Sequence, residues 1–179
     1  MSSLTLFSAL VLLVGLERLA ELVVSKRNAA WSKPRGGVET GQRHYLVMVA
    51  LHTGLLVGAL VEVWTRRPDF VPLLGWAMLA LVLASQALRW WCILTLGPRW
   101  NTRVIVVPGL PLVDNGPYRW FSHPNYVAVV VEGLALPLVH SAWITALTFT
   151  VLNAALLRVR VQVEERALST ADEPASQVA

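Results

Sequence analysis

The sequence predicts an all-α integral membrane protein of about five transmembrane helices, the last two paired as a helical hairpin. Three observations carry this. Hydrophobic residues make up 55% of the 179-residue chain and its mean hydropathy is +0.56, more apolar than an ordinary soluble domain. Apolar runs approach the roughly 20 residues that span a bilayer and are separated by polar stretches. Lys and Arg gather in alternate connections, the asymmetry that marks cytoplasmic loops.

Leu4–Val24 is the first helix. No Lys or Arg precedes its apolar run and no small-residue cleavage site closes it, so it reads as a mature membrane helix rather than a signal peptide. Ser25–Arg43, rich in Lys, Arg, Gly and Pro, reads as a loop. His44–Val63 is the second helix, and Trp64–Phe70, with Arg66, Arg67 and Pro68, the next loop. Val71–Leu96 is the third helix. Beyond Gly97-Pro98, the prolines at 108, 111 and 117 keep a long stretch out of helix. Pro124 opens the fourth helix, because its missing N–H needs no partner in a first turn; Ser122 or His123 is then the N-cap. That helix runs to Leu138, only about 22 Å at 1.5 Å per residue. It therefore crosses a thinned or protein-covered path beside its hairpin partner, which runs from Ala142 into Arg160–Leu168. Residues 1–168 form a single domain. Ser169–Ala179, small and polar, is expected as a disordered tail. The chain has no internal repeat.

Charge sets the expected orientation. Lys26, Arg27, Lys33, Arg35 and Arg43 flank the first loop, Arg89, Arg99, Arg103 and Arg119 the third, and Arg158, Arg160 and Arg166 the C-terminal end. The second loop holds only Arg66 and Arg67. With every helix crossing, the heavily charged segments share the cytoplasmic side and the N-terminus lies outside. The net charge of +4 is small and confined to loops, so it reads as a topology signal, with no nucleic-acid partner. The single cysteine, Cys92, excludes an internal disulfide, and no Cys/His spacing resembles a metal site. No Gly-x-Gly follows a strand, which argues against a Rossmann-type cofactor site.

Two polar clusters stand out. The first is Gly116–Tyr126, which holds Tyr118, Arg119, Trp120, His123 and Tyr126. Free N–H groups of Asn125 and Tyr126, with the helix dipole, make an anion site. His123 and Tyr126 share a helix face, and Tyr118 and Trp120 offer aromatic walls. The second cluster is Arg158–Leu168. Arg160 and Glu164 face the same way, and Glu165 turns away by about 100°. A carboxylate here suits an ammonium or ribose hydroxyl, and Arg160 suits an anionic substrate group. The plainer alternatives are a capped helix start, an intrahelical Arg160–Glu164 salt bridge and a solvated acidic pair.

Taken together, Gly116-Pro-Tyr-Arg-x3-His123-Pro-x-Tyr126-x5-Glu132 and, about thirty residues later, Arg160-x3-Glu164-Glu165-x2-Leu168 resemble the isoprenylcysteine carboxyl methyltransferase family. They are also similar to related membrane methyltransferases acting on phospholipids. The resemblance covers roughly Leu96–Leu168. Upstream, Glu17-Arg-Leu-Ala-Glu21-Leu, Arg27-Asn28 and Glu39-x-Gly41-x2-His44-Tyr45 resemble the family's bacterial branch. The resemblance implies an integral-membrane O-methyltransferase using S-adenosyl-L-methionine, bound near the cytoplasmic face under the loop before the fourth helix. It implies cofactor-binding roles for Leu110, Leu112, Val113, Tyr118, His123, Pro124, Asn125, Tyr126 and Glu164, and catalytic roles for Arg160, which orients substrate, and Glu165. The family commonly has Arg directly before His-Pro; Ser122 stands here, so that anion contact is missing or supplied by Arg119. The implied acceptor is the carboxylate or acidic hydroxyl of a lipid-like substrate. It is either a prenylated cysteine or an alkylpyrone or alkylresorcinol from a type III polyketide synthase. Membrane lipid surrounds the chain and no obligate protein partner is implied. The alternatives from other classes are a nicotinamide-dependent membrane reductase and a non-enzymatic scaffold or transporter subunit.

The remaining polar residues suggest structural roles. Glu17, Arg18 and Glu21 are expected to pair with one another and with loop cations near the interface. His44 and His52 are expected to bond buried polar groups, and Glu62 to meet water. Glu132, at mid-helix, needs a partner such as Arg89, His52 or a substrate group. Trp64, Trp76, Trp90, Trp91 and Trp143 read as interfacial belt and packing residues.

Overall fold

The computed structural model describes residues 2–172. Five long helices carry the chain: α1 (Ser3–Ser32), α2 (Gln42–Arg66), α3 (Pro72–Leu96), α4 (Pro124–Leu138) and α5 (Trp143–Asp172). His44–Arg66, Pro72–Arg99 and Trp143–Thr170 are long and apolar enough to cross a bilayer. Helix α4 is shorter, at 15 residues, and packs between α3 and α5. The turn Val139–Ala142 folds α5 back on α4 as a hairpin. Gly133 permits that approach, because a Cβ there would collide with the ring of Phe149; small residues at helix contacts serve this purpose in membranes.

Phe7, Val11 and Val14 of α1 meet Ala59 and Val63 of α2, Val82 of α3, and Ala135 and Leu136 of α4 in a buried core. Leu12, Leu13, Leu16, Leu46, Leu73 and Leu147 point outward, as expected where the surrounding solvent is hydrocarbon. The same end of the bundle fixes Glu62, expected to meet water. Its half-buried carboxylate also accepts from the N–H groups of Ile144 and Thr145 at 3.1 and 2.8 Å and from the Thr145 hydroxyl at 2.8 Å. An anion there satisfies the orphan donors of α5's first turn.

The structure corrects three expectations. The fold is not wholly α: β1 (Val38–Thr40) pairs antiparallel with β2 (Val104–Val106), register Val38↔Val106. Three-residue strands are too short to show a period of two, and their pairing joins distant segments. Helix α1 continues through Ser32, eating into the expected Ser25–Arg43 loop, because Ser25, Asn28 and Ser32 bury one polar face at helical spacing. Helix α5 runs through Asp172, so Ser169–Asp172 are helical rather than tail; residues 173–179 lie outside the described residues.

Candidate active site

A cavity of about 460 Å³ opens between the segment 96–113, the start of α4 and the last turns of α5. Leu110, Leu112, Val113, Tyr118, His123, Pro124, Asn125, Tyr126, Arg160, Glu164 and Glu165 all line it. Residues far apart in sequence meet because Pro124 fixes where α4 starts and α5 returns antiparallel beside it.

His123 is the N-cap, with its carbonyl accepting from Tyr126 N–H at 3.1 Å. No side chain caps this helix, so Ser122 lines the cavity without capping. The imidazole faces α5: Nδ1 lies 3.9 Å from Glu164 Oε2 and Nε2 lies 3.7 Å from Glu165 Oε1. Its ring stacks on Tyr126 with centroids 5.4 Å apart, and the Tyr126 hydroxyl donates to Glu164 Oε2 at 2.5 Å. Glu164 is one-third exposed and Glu165 largely exposed, so the acidic pair sits at the cavity mouth.

Arg160 is 6% exposed. Its Nη2 donates to Thr102 O at 3.0 Å, Nη1 lies 2.8 Å from Met48 Sδ, and the guanidinium stands 5.8 Å from the Tyr126 ring. Among the described residues Arg160 and Glu164 form no ion pair, so the simple intrahelical bridge is absent. Three buried polar atoms of the lining residues lack partners among the described residues: Trp100 Nε1, Asn125 Oδ1 and Arg160 Nε. Such atoms are rare in native interiors and invite an explanation.

Tyr118 arrives on a short 3₁₀ turn, Gly116–Arg119. Gly116 opens it at φ +55°, and a Cβ there would lie 2.6 Å from Thr95 Oγ1, so both conformation and space demand glycine. Burial first, and then the neighbouring Cys92, hold the Tyr118 phenol above its ordinary range. It is a hydrogen-bond donor at neutral pH rather than a base.

Two expected contributors lie elsewhere. Trp120 is 64% exposed and packs edge-on against Trp91, centroids 5.8 Å apart. Arg119 is exposed and does not line the cavity. The cations that do line it, besides Arg160, are Arg99 and Arg103. Arg99 donates to Pro111 O at 2.6 Å; Arg103 pairs with Glu39 at 3.2 Å and covers the Tyr45 ring at 4.9 Å. Ser32, Trp100 and Asn101 also line the cavity and escaped sequence reasoning. Only Gly97-Pro98, which breaks the helix just before Trp100, hinted that this segment turns inward.

Glu17, Arg18 and Glu21 pair with one another, as expected, and their further partners sit on neighbouring helices rather than within the loops. Arg18 bonds Glu21 at 2.8 Å, Gln86 at 2.8 Å and Glu132 at 3.1 Å, while Arg89 bonds Glu21 at 2.5 Å. Glu17 accepts from Gln86 and from Trp90 Nε1. Glu132 thus finds its partners in Arg18 and Arg89. His52 Nδ1 donates to Met48 O, 2.9 Å away, as expected of a buried histidine.

No solved structure matches the chain. It is 36% identical over 164 residues to the uncharacterized protein YpbQ of Bacillus subtilis (strain 168), spanning 91% of this chain and 96% of that one. An uncharacterized Haemophilus influenzae (strain ATCC 51907 / DSM 11121 / KW20 / Rd) protein is 24% identical over 155 residues, covering 85% of this chain and 88% of its own. The model of the isoprenylcysteine carboxyl methyltransferase (ICMT) family matches residues 78–170, the stretch that contains α4, all but the end of α5 and most of the cavity wall. With three bilayer-length apolar helices and that match, the chain is a multi-pass membrane protein belonging to the isoprenylcysteine carboxyl methyltransferase family.

Proposed function

We propose that this protein is an S-adenosyl-L-methionine-dependent O-methyltransferase acting on the carboxylate or acidic hydroxyl of a lipid-like substrate. All five helices cross the membrane in this reading, with the cavity at the cytoplasmic face. The observation that carries it is the convergence of His123–Tyr126 with Arg160, Glu164 and Glu165 on one cavity.

The residues present fit that cofactor. The volume of about 460 Å³ falls in the usual range of ligand pockets, roughly 300–1,000 Å³. Glu164 and Glu165 offer carboxylates to an ammonium or to ribose hydroxyls. Asn125 Oδ1 is a buried acceptor awaiting a donor. Leu110, Leu112 and Val113 and the His123–Tyr126 stack supply apolar and flat walls. When bound, the cofactor supplies an electrophilic methyl on a good neutral leaving group.

The chain's task is then alignment. Arg160, braced on the Thr102 carbonyl, holds an anionic oxygen by a directed fork rather than a diffuse charge. A carboxylate is already ionised at neutral pH and needs no base; a phenol with pKa near 10 would need one. Tyr118 keeps its proton and cannot serve, and in this reading Glu164 and Glu165 are taken up by the cofactor, with His123 turned toward them. This favours an acceptor that brings its own negative oxygen, such as a prenylated cysteine carboxylate or the acidic hydroxyl of an alkylpyrone or alkylresorcinol. Its hydrocarbon chain lies among the helices, open to lipid.

Titration of the detergent-purified protein with S-adenosylhomocysteine, read by intrinsic tryptophan fluorescence with NADPH as control, tests the reading. Saturable binding of the first alone is expected, followed by transfer of labelled methyl into lipid extract. Binding of NADPH alone would replace the proposal with a reductase, and binding of neither would remove it.

A further inference from the structure

We infer that the first helix, outside the stretch that matches the family, sets the geometry of the cavity wall: Ser25 and Asn28 are positioning residues for the proposed methyl transfer. This rests on the function proposed above. The segment 97–103 opens with Gly97 at φ +53° and a single 3₁₀ turn, Gly97–Arg99, closed by Trp100 N–H on Gly97 O at 3.1 Å; backbone groups beyond that turn must find partners elsewhere. Helix α1 provides them. Asn28, 7% exposed, donates one amide group to two carbonyls, Gly97 O at 3.0 Å and Trp100 O at 2.7 Å. Ser25, 4% exposed, donates to Asn101 Oδ1 at 2.6 Å and accepts from Thr102 N–H at 3.2 Å. Its carbonyl accepts from Asn101 Nδ2 at 3.1 Å.

The next link reaches the site. Thr102, held through its N–H by Ser25, is the residue whose carbonyl accepts from Arg160 Nη2. Trp100 and Asn101, held by Asn28 and Ser25, line the cavity directly. Beyond them β2 leaves for its pairing with β1, which also lies upstream of the matched stretch. Loosening the clasp therefore shifts both the cavity wall and the brace behind Arg160, while the lipid-facing helices stay packed.

The experiment uses the full chain in detergent with Asn28→Asp, Ser25→Ala and Ser25→Thr. Asn28→Asp removes both donors at constant size. Backbone hydrogen exchange is expected to accelerate in 97–107 alone. The KM for S-adenosylmethionine is expected to rise about tenfold, as for loss of a hydrogen bond or two, with a smaller change in kcat. Ser25→Thr, which keeps the hydroxyl, is expected to recover most of what Ser25→Ala loses. Unchanged exchange in 97–107, or exchange accelerated evenly along the chain, overturns the inference, as does an unchanged KM in a variant with a loosened wall. Should Asn28→Asp fail to fold, the two Ser25 variants decide by the same readouts. Wild-type protein that binds no S-adenosylhomocysteine removes the proposed function, and the exchange pattern still decides whether the clasp exists.

Discussion

Arg160 and Glu164 lie one turn apart on α5 yet answer to different neighbours, and that difference separates their roles. Glu164 takes the Tyr126 hydroxyl and faces His123, the side that the proposed reaction gives to the cofactor. Arg160 is anchored on Thr102 and stands beside Met48 of α2, the side that the proposed reaction gives to the methyl acceptor. Glu164→Ala is therefore expected to abolish both S-adenosylhomocysteine binding and methyl transfer. Arg160→Ala is expected to abolish transfer while binding stays within a few-fold of wild type. Calorimetric titration and a labelled-methyl assay on the same preparations, with unfolding midpoints as the folding control, check both; wild-type activity in either variant removes that residue's role. The shared faces were legible in the sequence because helix geometry ties spacing to direction: His123 and Tyr126, and Arg160 and Glu164, are neighbours on their own helices; their roles came only from the resemblance. Trp120 was misjudged for the complementary reason. It follows a 3₁₀ turn, where local spacing says little about direction, and Trp91 captured it.

At the scale of elements, punctuation was readable and long-range pairing was not. Pro124 placed the start of α4, and the end of apolar character placed Leu138. Nothing local announces β1 and β2, whose six residues gain meaning only from each other. The same holds for Glu62: on its own helix it looks like a carboxylate near the membrane surface, and only the folded hairpin brings the open end of α5 onto it. Its removal tests that reading. Glu62→Ala leaves the N–H groups of Ile144 and Thr145 without their acceptor, which costs about 1 kcal/mol by analogy with lost helix caps. A lower unfolding midpoint is expected, with S-adenosylhomocysteine affinity unchanged, since the cap lies at the opposite end of the bundle from the cavity. A midpoint equal to wild type would mean that water caps α5 equally well.

Across the whole molecule, two features of charge decide how the helices assemble and which way they face. Arg18 and Glu21 of α1, Arg89 of α3 and Glu132 of α4 form one buried network, with side chains of Glu21 and Glu132 no more than 7% exposed. Removing one member strands its partners. Arg89→Leu is expected to cost about 3–5 kcal/mol, and Arg89→Leu with Glu21→Leu less than that single change, because a paired loss leaves fewer uncompensated charges; denaturant unfolding in detergent measures both. The sequence flagged these groups but could not choose partners, since loop cations and helix cations look alike until the helices pack. The proposed orientation rests on the outer charges. Ser32 lines the cavity and the turn Lys33–Arg35 continues from it, so this connection shares the cavity's side. Arg67 joins α2 to α3 beside Val63 and Glu62, at the other end. The proposed topology puts the loops rich in Lys and Arg on the cytoplasmic side, and Cys92 is buried, so a single introduced thiol reports cleanly. Arg35→Cys is expected to react with a membrane-impermeant maleimide only after the cells are opened, and Arg67→Cys in intact cells. The reverse pattern would put the cavity outside, away from the cytosolic supply of S-adenosylmethionine on which the proposed reaction depends.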